Sequence, residues 1–174
     1  MDLRARCAIV ATSIALAGCG GSESGGAGDT ERPLRQERLS PAEARYVEQL
    51  DALCREGDEI AARVKGEVDG LKRRLLPKAE MSERVVVLLD ESYVESDAIR
   101  DRIRALEPPS SKERFHQRYN ELSDRLVALN KRGRDSIARG ARRGDLLPFR
   151  RRANRIVRQR GALVADHGGY RYCG

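Results

Sequence analysis

The sequence predicts an all-α fold: an antiparallel up-down four-helix bundle with a disordered N-terminal tether and one disulfide. Three observations point there. Charged residues make up 35% of the chain and aromatics 4%, with no Trp, which is the composition of long helices rather than of a β-sandwich. From residue 40 onward, apolar and small residues recur at alternating spacings of three and four, which lines them up along one stripe of each helix. Prolines and glycines cut this pattern into four segments.

The first segment opens at Ser40-Pro41-Ala42-Glu43, a capping box with proline at the first helical position. Its stripe is Val47, Leu50, Cys54, Gly57, Ala61, Val64, Val68, Leu71 and Leu75, and Pro77 ends it. The second starts near Met81, continues through Val85, Leu89, Ser92, Ser96, Ile99, Ile103 and Leu106, and stops at Pro108-Pro109. The third has a capping-box pattern of its own, Ser110-Ser111-Lys112-Glu113, followed by Phe115, Tyr119, Leu122, Leu126, Leu129, Gly133 and Ile137. Gly144-Asp145 is expected to break the chain. The fourth uses Leu146, Phe149, Ala153, Ile156 and Leu163 before Gly168-Gly169. Short connections favour helices that alternate in direction.

The beginning of the chain reads as an export signal. Arg4 and Arg6 precede a short apolar run, Ala8 to Leu16, and the small residues Ala17 and Gly18 lead into Cys19. Such a run is too short for a roughly 30 Å hydrocarbon core and fits a cleaved leader. Leu16-Ala17-Gly18-Cys19 resembles a bacterial lipobox, which implies cleavage before Cys19 and lipid on its thiol. The Gly/Ser-rich residues after it suit a tether. The expected organisation is therefore a signal peptide over 1–18, a flexible tether over 19–39 and the bundle over 40–174. The expected location is the extracytoplasmic face of the cell membrane, held there by lipid on Cys19.

With Cys7 removed and Cys19 acylated, Cys54 and Cys173 remain, two cysteines in an oxidising compartment, and a disulfide between them is the economical reading. Helix lengths agree. A fourth helix of about 22 residues spans roughly 33 Å. Running back beside the first helix from the level of Leu75, it ends near Leu53, next to Cys54.

Leu50-Asp51-Ala52-Leu53-Cys54, Leu106-Glu107-Pro108-Pro109 and the ending Gly169-Tyr170-Arg171-Tyr172-Cys173-Gly174 resemble a group of uncharacterised actinobacterial lipoproteins over residues 40–174. The resemblance implies the disulfide and the export address, and it implies no activity.

Catalytic patterns fail one by one. Glu113-Arg114-Phe115-His116 has the Glu-x-x-His spacing of di-iron bundles, but such sites need two such pairs, and His167 has no glutamate three residues before it. The chain has no Cys-x-x-Cys-His haem motif, no Gly-x-Ser-x-Gly turn and too few histidines for a zinc site. Neither an enzyme nor a cofactor or metal is expected.

Charge is more informative. From Lys131 to Arg160 twelve Lys or Arg face only Asp135 and Asp145, a net +10, whereas the rest of the chain after residue 18 sums to −4. The candidate basic surface is Arg139, Arg142, Arg143, Arg150, Arg151, Arg152, Arg155 and Arg158. It could pair with the acidic faces of the first two helices, or it could meet an anionic envelope component or acidic protein. Nucleic acid is not an expected partner: the export signal removes the chain from the cytoplasm, and no aromatics interleave the cations to stack on bases. An alternative function is small-solute binding between helices. It rests on Gly57, Ala61, Ser92 and Ser96, small residues at similar heights, with Arg160 near the same stripe to face an anion.

Overall fold

A computed structural model describes residues 39–173. The signal peptide, Cys19 and nearly all of the tether lie outside the described residues, as does Gly174. The described chain forms four α-helices, α1 (Pro41–Arg73), α2 (Lys78–Arg104), α3 (Glu113–Ala138) and α4 (Arg143–His167), with a 3₁₀ turn at Ser110–Lys112 and no strand among the described residues. They pack as a helical bundle.

Local chemistry sets the helix ends. Ser40 Oγ accepts the N–H of Glu43 at 3.3 Å, and the Glu43 carboxylate accepts the N–H of Ser40 at 2.8 Å, so the expected capping box is formed. The pattern at Ser110 does not cap α3. Those residues make the 3₁₀ turn instead, and Ser111 Oγ donates to Glu43 Oε1 at 2.6 Å. The start of α1 is thereby tied to the approach to α3.

Three expected boundaries move. α2 begins at Lys78 rather than Met81, directly after Pro77. Leu75 is not on the α1 stripe. The helix has ended by then, and Leu75 sits in the connecting turn at φ 53°, with 80% of its surface exposed. The break before α4 falls at Gly140, not at Gly144-Asp145. Gly140 takes φ 82°, its N–H bonds Ile137 O, and the N–H of Ala141 bonds Ser136 O. This is a Schellman ending, which needs a residue free to enter the left-handed region. Asp145 lies inside the first turn of α4, where its carboxylate accepts the N–H of Arg142 at 2.8 Å.

Three clusters make the core. Tyr46, Leu50, Leu53 and Cys54 of α1 meet Ile103, Phe115, Tyr119, Val164 and Cys173. Leu39, assigned above to the tether, packs partly buried against this cluster. Val64, Val68 and Leu71 meet Val85, Leu89 and Tyr93 of α2, with Ile137 and Leu146. Leu122, Leu126 and Leu129 of α3 meet Ala153 and Ile156 of α4. All seven stripe residues expected on α3 are buried. On α4, Val164 is buried where Leu163 was expected.

The C-terminal tail folds back onto α1. Cys54 and Cys173 form a disulfide with Cα atoms 5.2 Å apart. Asp51 Oδ1 accepts the N–H groups of Arg171 and Tyr172 at 2.9 and 2.7 Å. Tyr170 stacks on Phe115 at 5.1 Å between centroids, and His167 lies 4.9 Å from the same ring. Buried Lys112 donates its ammonium to His167 O at 3.1 Å, placing a cation on the last carbonyls of α4.

Candidate functional site

The structure sorts the cations into two populations. Several on α1, α2 and α3 have acidic partners on a neighbouring helix: Arg63 with Glu95, Arg102 with Glu56, Arg104 with Asp124, Arg134 with Asp90 and Lys131 with Asp97. The described arginine side chains of α4 do not. Arg151, Arg152, Arg155 and Arg158 are exposed, Arg150 is half-buried, and none of the five forms an ion pair among the described residues. Arg142 is exposed and likewise forms none; exposed Arg139 makes a long contact to Ser136 Oγ at 3.5 Å. The side chain of Arg143 lies outside the described ones.

Spacing explains why. Positions 151, 152, 155 and 158 share one side of α4, opposite the stripe of Leu146, Ala153, Ile156, Arg160 and Val164 that enters the core. Helix α3, not the acidic surfaces of α1 and α2, flanks that side. Between α3 and α4 runs a surface groove of about 370 Å³. Arg125 and Arg132 line it from α3, Arg152 and Arg155 from α4, over Leu129 and Ile156. Arg125 and Arg132 also lack ion pairs among the described residues. Sequence reasoning missed these two, although their seven-residue separation puts them on one face of α3.

A second site lies inside the bundle. A partly open cavity of about 70 Å³ is lined by residues of all four helices, including Cys54, Gly57, Ser96, Tyr119, Ser123 and Arg160. Gly57 and Ser96 are two of the four small residues singled out above. The other two do not line it: Ala61 packs in the core, and buried Ser92 turns its hydroxyl onto Leu89 O at 2.8 Å. Arg160 is only 5% exposed. Its guanidinium lies 5.5 Å from the centre of the Tyr119 ring, and its Nε is buried with no hydrogen-bond partner among the described residues. Arg100, also at the cavity, is balanced by Asp97 at 3.1 Å and Asp124 at 3.7 Å.

Asp58 completes this region. Burial raises its pKa to about 6, against the lowering effect of the Arg160 charge, and Asp51 adds a smaller upward push. Asp58 Oδ1 is buried without a hydrogen bond among the described residues. Tyr119 donates its hydroxyl to Cys54 Sγ at 3.1 Å, because a disulfide sulfur has no proton to give.

His116 is not a plain surface residue. Asn120 Nδ2 donates to its Nε2 at 3.0 Å, which leaves Nδ1–H to donate to Tyr46 Oη at 2.9 Å. Burial lowers its pKa and favours this neutral form. Among the described residues, no group of three or more His, Cys, Asp or Glu side chains is placed to hold a metal ion. No described helix is long and apolar enough to cross a membrane.

Comparison of the chain with protein-family models, with curated proteins and with solved structures finds no match.

Proposed function

We propose that this chain is a non-enzymatic, extracytoplasmic lipoprotein, anchored through lipid on Cys19, that binds a polyanionic component of the cell envelope through the α3–α4 groove. The carrying observation is the set of arginines lining and flanking that groove with no ion pair among the described residues, in contrast to Arg63 and Arg102 on α1 and α2, which are matched with carboxylates. Unmatched guanidiniums held on a rigid helix recognise phosphate or carboxylate groups at little cost in desolvation or ordering. The short apolar run before Cys19 and the Gly/Ser stretch after it support the address.

The reading includes an up-down antiparallel order of helices. Glu56–Arg102 and Arg63–Glu95 advance in opposite senses along α1 and α2, as do Asp90–Arg134 and Lys131–Asp97 along α2 and α3. In that arrangement α4 leaves its arginine side outermost.

Reversal of Arg151, Arg152 and Arg155 to glutamate in the full-length protein tests the function. Binding is measured to vesicles with anionic phospholipid and, separately, to isolated wall polyanion, so that the arms identify the source of negative charge. The triple variant is expected to bind its preferred arm more than about tenfold more weakly, since each cation near an anionic surface contributes about 1 kcal/mol. Equal binding by variant and wild type in both arms would remove the proposal.

A further inference from the structure

The arginine inside the bundle is a different matter from those on its surface. The guanidinium of Arg160 is a delocalised cation that can only donate hydrogen bonds, and it is buried. A buried charge without a hydrogen-bonded counter-ion is costly. The Tyr119 ring at 5.5 Å offsets part of this through the negative face of its π system. The carboxylate beside it does not close the account: Asp58 Oδ1 has no hydrogen bond among the described residues, and neither does Arg160 Nε. Both atoms are buried, and the cavity that Arg160 lines is walled largely by apolar side chains such as Leu53, Ile99 and Leu126.

We propose that this cavity binds a short-chain carboxylate, with the carboxylate group on Arg160 and the hydrocarbon end against the apolar wall. The pieces have the right chemistry. Arg160 supplies a charged donor for anionic oxygens, and Gly57 and Ser96, small residues where α1 and α2 face each other, keep the space open. A cavity of about 70 Å³ has room for about five or six water-sized groups at about 10–15 Å³ of such space each, the heavy-atom count of an acid of about two to four carbons. Arg100 is no competitor for the ligand, because Asp97 and Asp124 already neutralise it. This site is separate from the surface groove, so the two proposals stand or fall apart.

Calorimetric titration of the detergent-solubilised full-length protein with sodium butyrate, sodium acetate and inorganic phosphate, at constant ionic strength, tests it. Butyrate or acetate is expected to bind saturably, and phosphate, which has no apolar part for the wall, about tenfold or more weakly. Arg160→Met is expected to weaken carboxylate binding by about 10- to 100-fold, the range for losing a charged hydrogen-bonding partner. Ser96→Leu, which keeps Arg160 and fills the cavity, is expected to abolish binding, and it serves alone if the Arg160 variant does not fold. The Arg151, Arg152, Arg155 reversal is expected to leave it intact. Absence of saturable carboxylate binding, phosphate binding as tight as that of butyrate, an unchanged Ser96→Leu variant, or loss in the surface reversal alone would each overturn the proposal.

Discussion

One carboxylate oxygen of Asp51 accepts the backbone N–H of Tyr172 at 2.7 Å, one residue before the cysteine that bonds Cys54. The same oxygen accepts the N–H of Arg171. A helix side chain thus satisfies two amides of an otherwise irregular tail and delivers Cys173 to its partner. Asp51→Ala is expected to lower stability by about 1 to 3 kcal/mol with the disulfide intact, the range for losing charged hydrogen bonds. Urea unfolding and limited proteolysis near Tyr170 check it. An unchanged midpoint would show that the disulfide alone holds the tail.

The disulfide closes a long loop, with 119 residues of separation between its cysteines. Chain-entropy reasoning gives such a bridge about 4 to 5 kcal/mol. Cys54→Ser is therefore expected to cost about 2 to 5 kcal/mol, and non-reducing peptide mapping of the wild type should recover the Cys54–Cys173 peptide pair.

Asp58 should make stability fall as pH rises. Its folded pKa of about 6 lies above the 3.8 of an ordinary aspartate, so the native state holds its proton more tightly than the unfolded chain does. The penalty grows between about pH 4 and pH 6 and is constant above. Asp58→Asn is expected to be more stable than wild type at pH 7 by about 1 kcal/mol, after allowance for screening of a partly exposed carboxylate. The two should converge near pH 4. A variant less stable than wild type at pH 7 would mean that Asp58 serves mainly as a counter-ion to Arg160.

The anchor has its own test. Cys19→Ser is expected to abolish incorporation of labelled palmitate and to release the protein from the membrane fraction. Continued labelling would place the lipid elsewhere.

Much of the fold was legible because the three-four rhythm is a direct projection of helix geometry onto sequence. On α3 it named every large apolar residue of the core except Val127, which lies beside Leu126 on the edge of the stripe. It failed where local chemistry competed with the pattern. Leu75 fits the spacing but follows the end of α1. Ser110 has a capping sequence, yet Ser111 gives its hydroxyl to Glu43 across the bundle. Gly144 looked like a breaker, but Gly140, four residues earlier, was the one needed at positive φ.

The candidate sites were legible in part, for a similar reason. A net +10 segment and a misplaced arginine on an apolar stripe are visible in sequence, and so the α4 cations and Arg160 were found. What they face is a matter of three-dimensional neighbours. Nothing in the sequence says that Arg125 and Arg132 meet Arg152 and Arg155 across a groove, or that Asp58 is half-buried near Arg160. Tyr46, His116 and Asn120 form a chain of hydrogen bonds between α1 and α3 that no spacing rule encodes.

Salt dependence probes the arginine groove most directly. Co-sedimentation of the intact protein with its preferred polyanion, wall material or anionic vesicles, is followed from about 0.05 M to about 0.5 M salt, across which the screening length shrinks severalfold. The expected result is retention at the low end that declines steadily to near zero for the soluble Cys19→Ser form, which removes the contribution of the lipid. Retention that ignores salt, or none at the lowest concentration, would contradict an electrostatic role for this face.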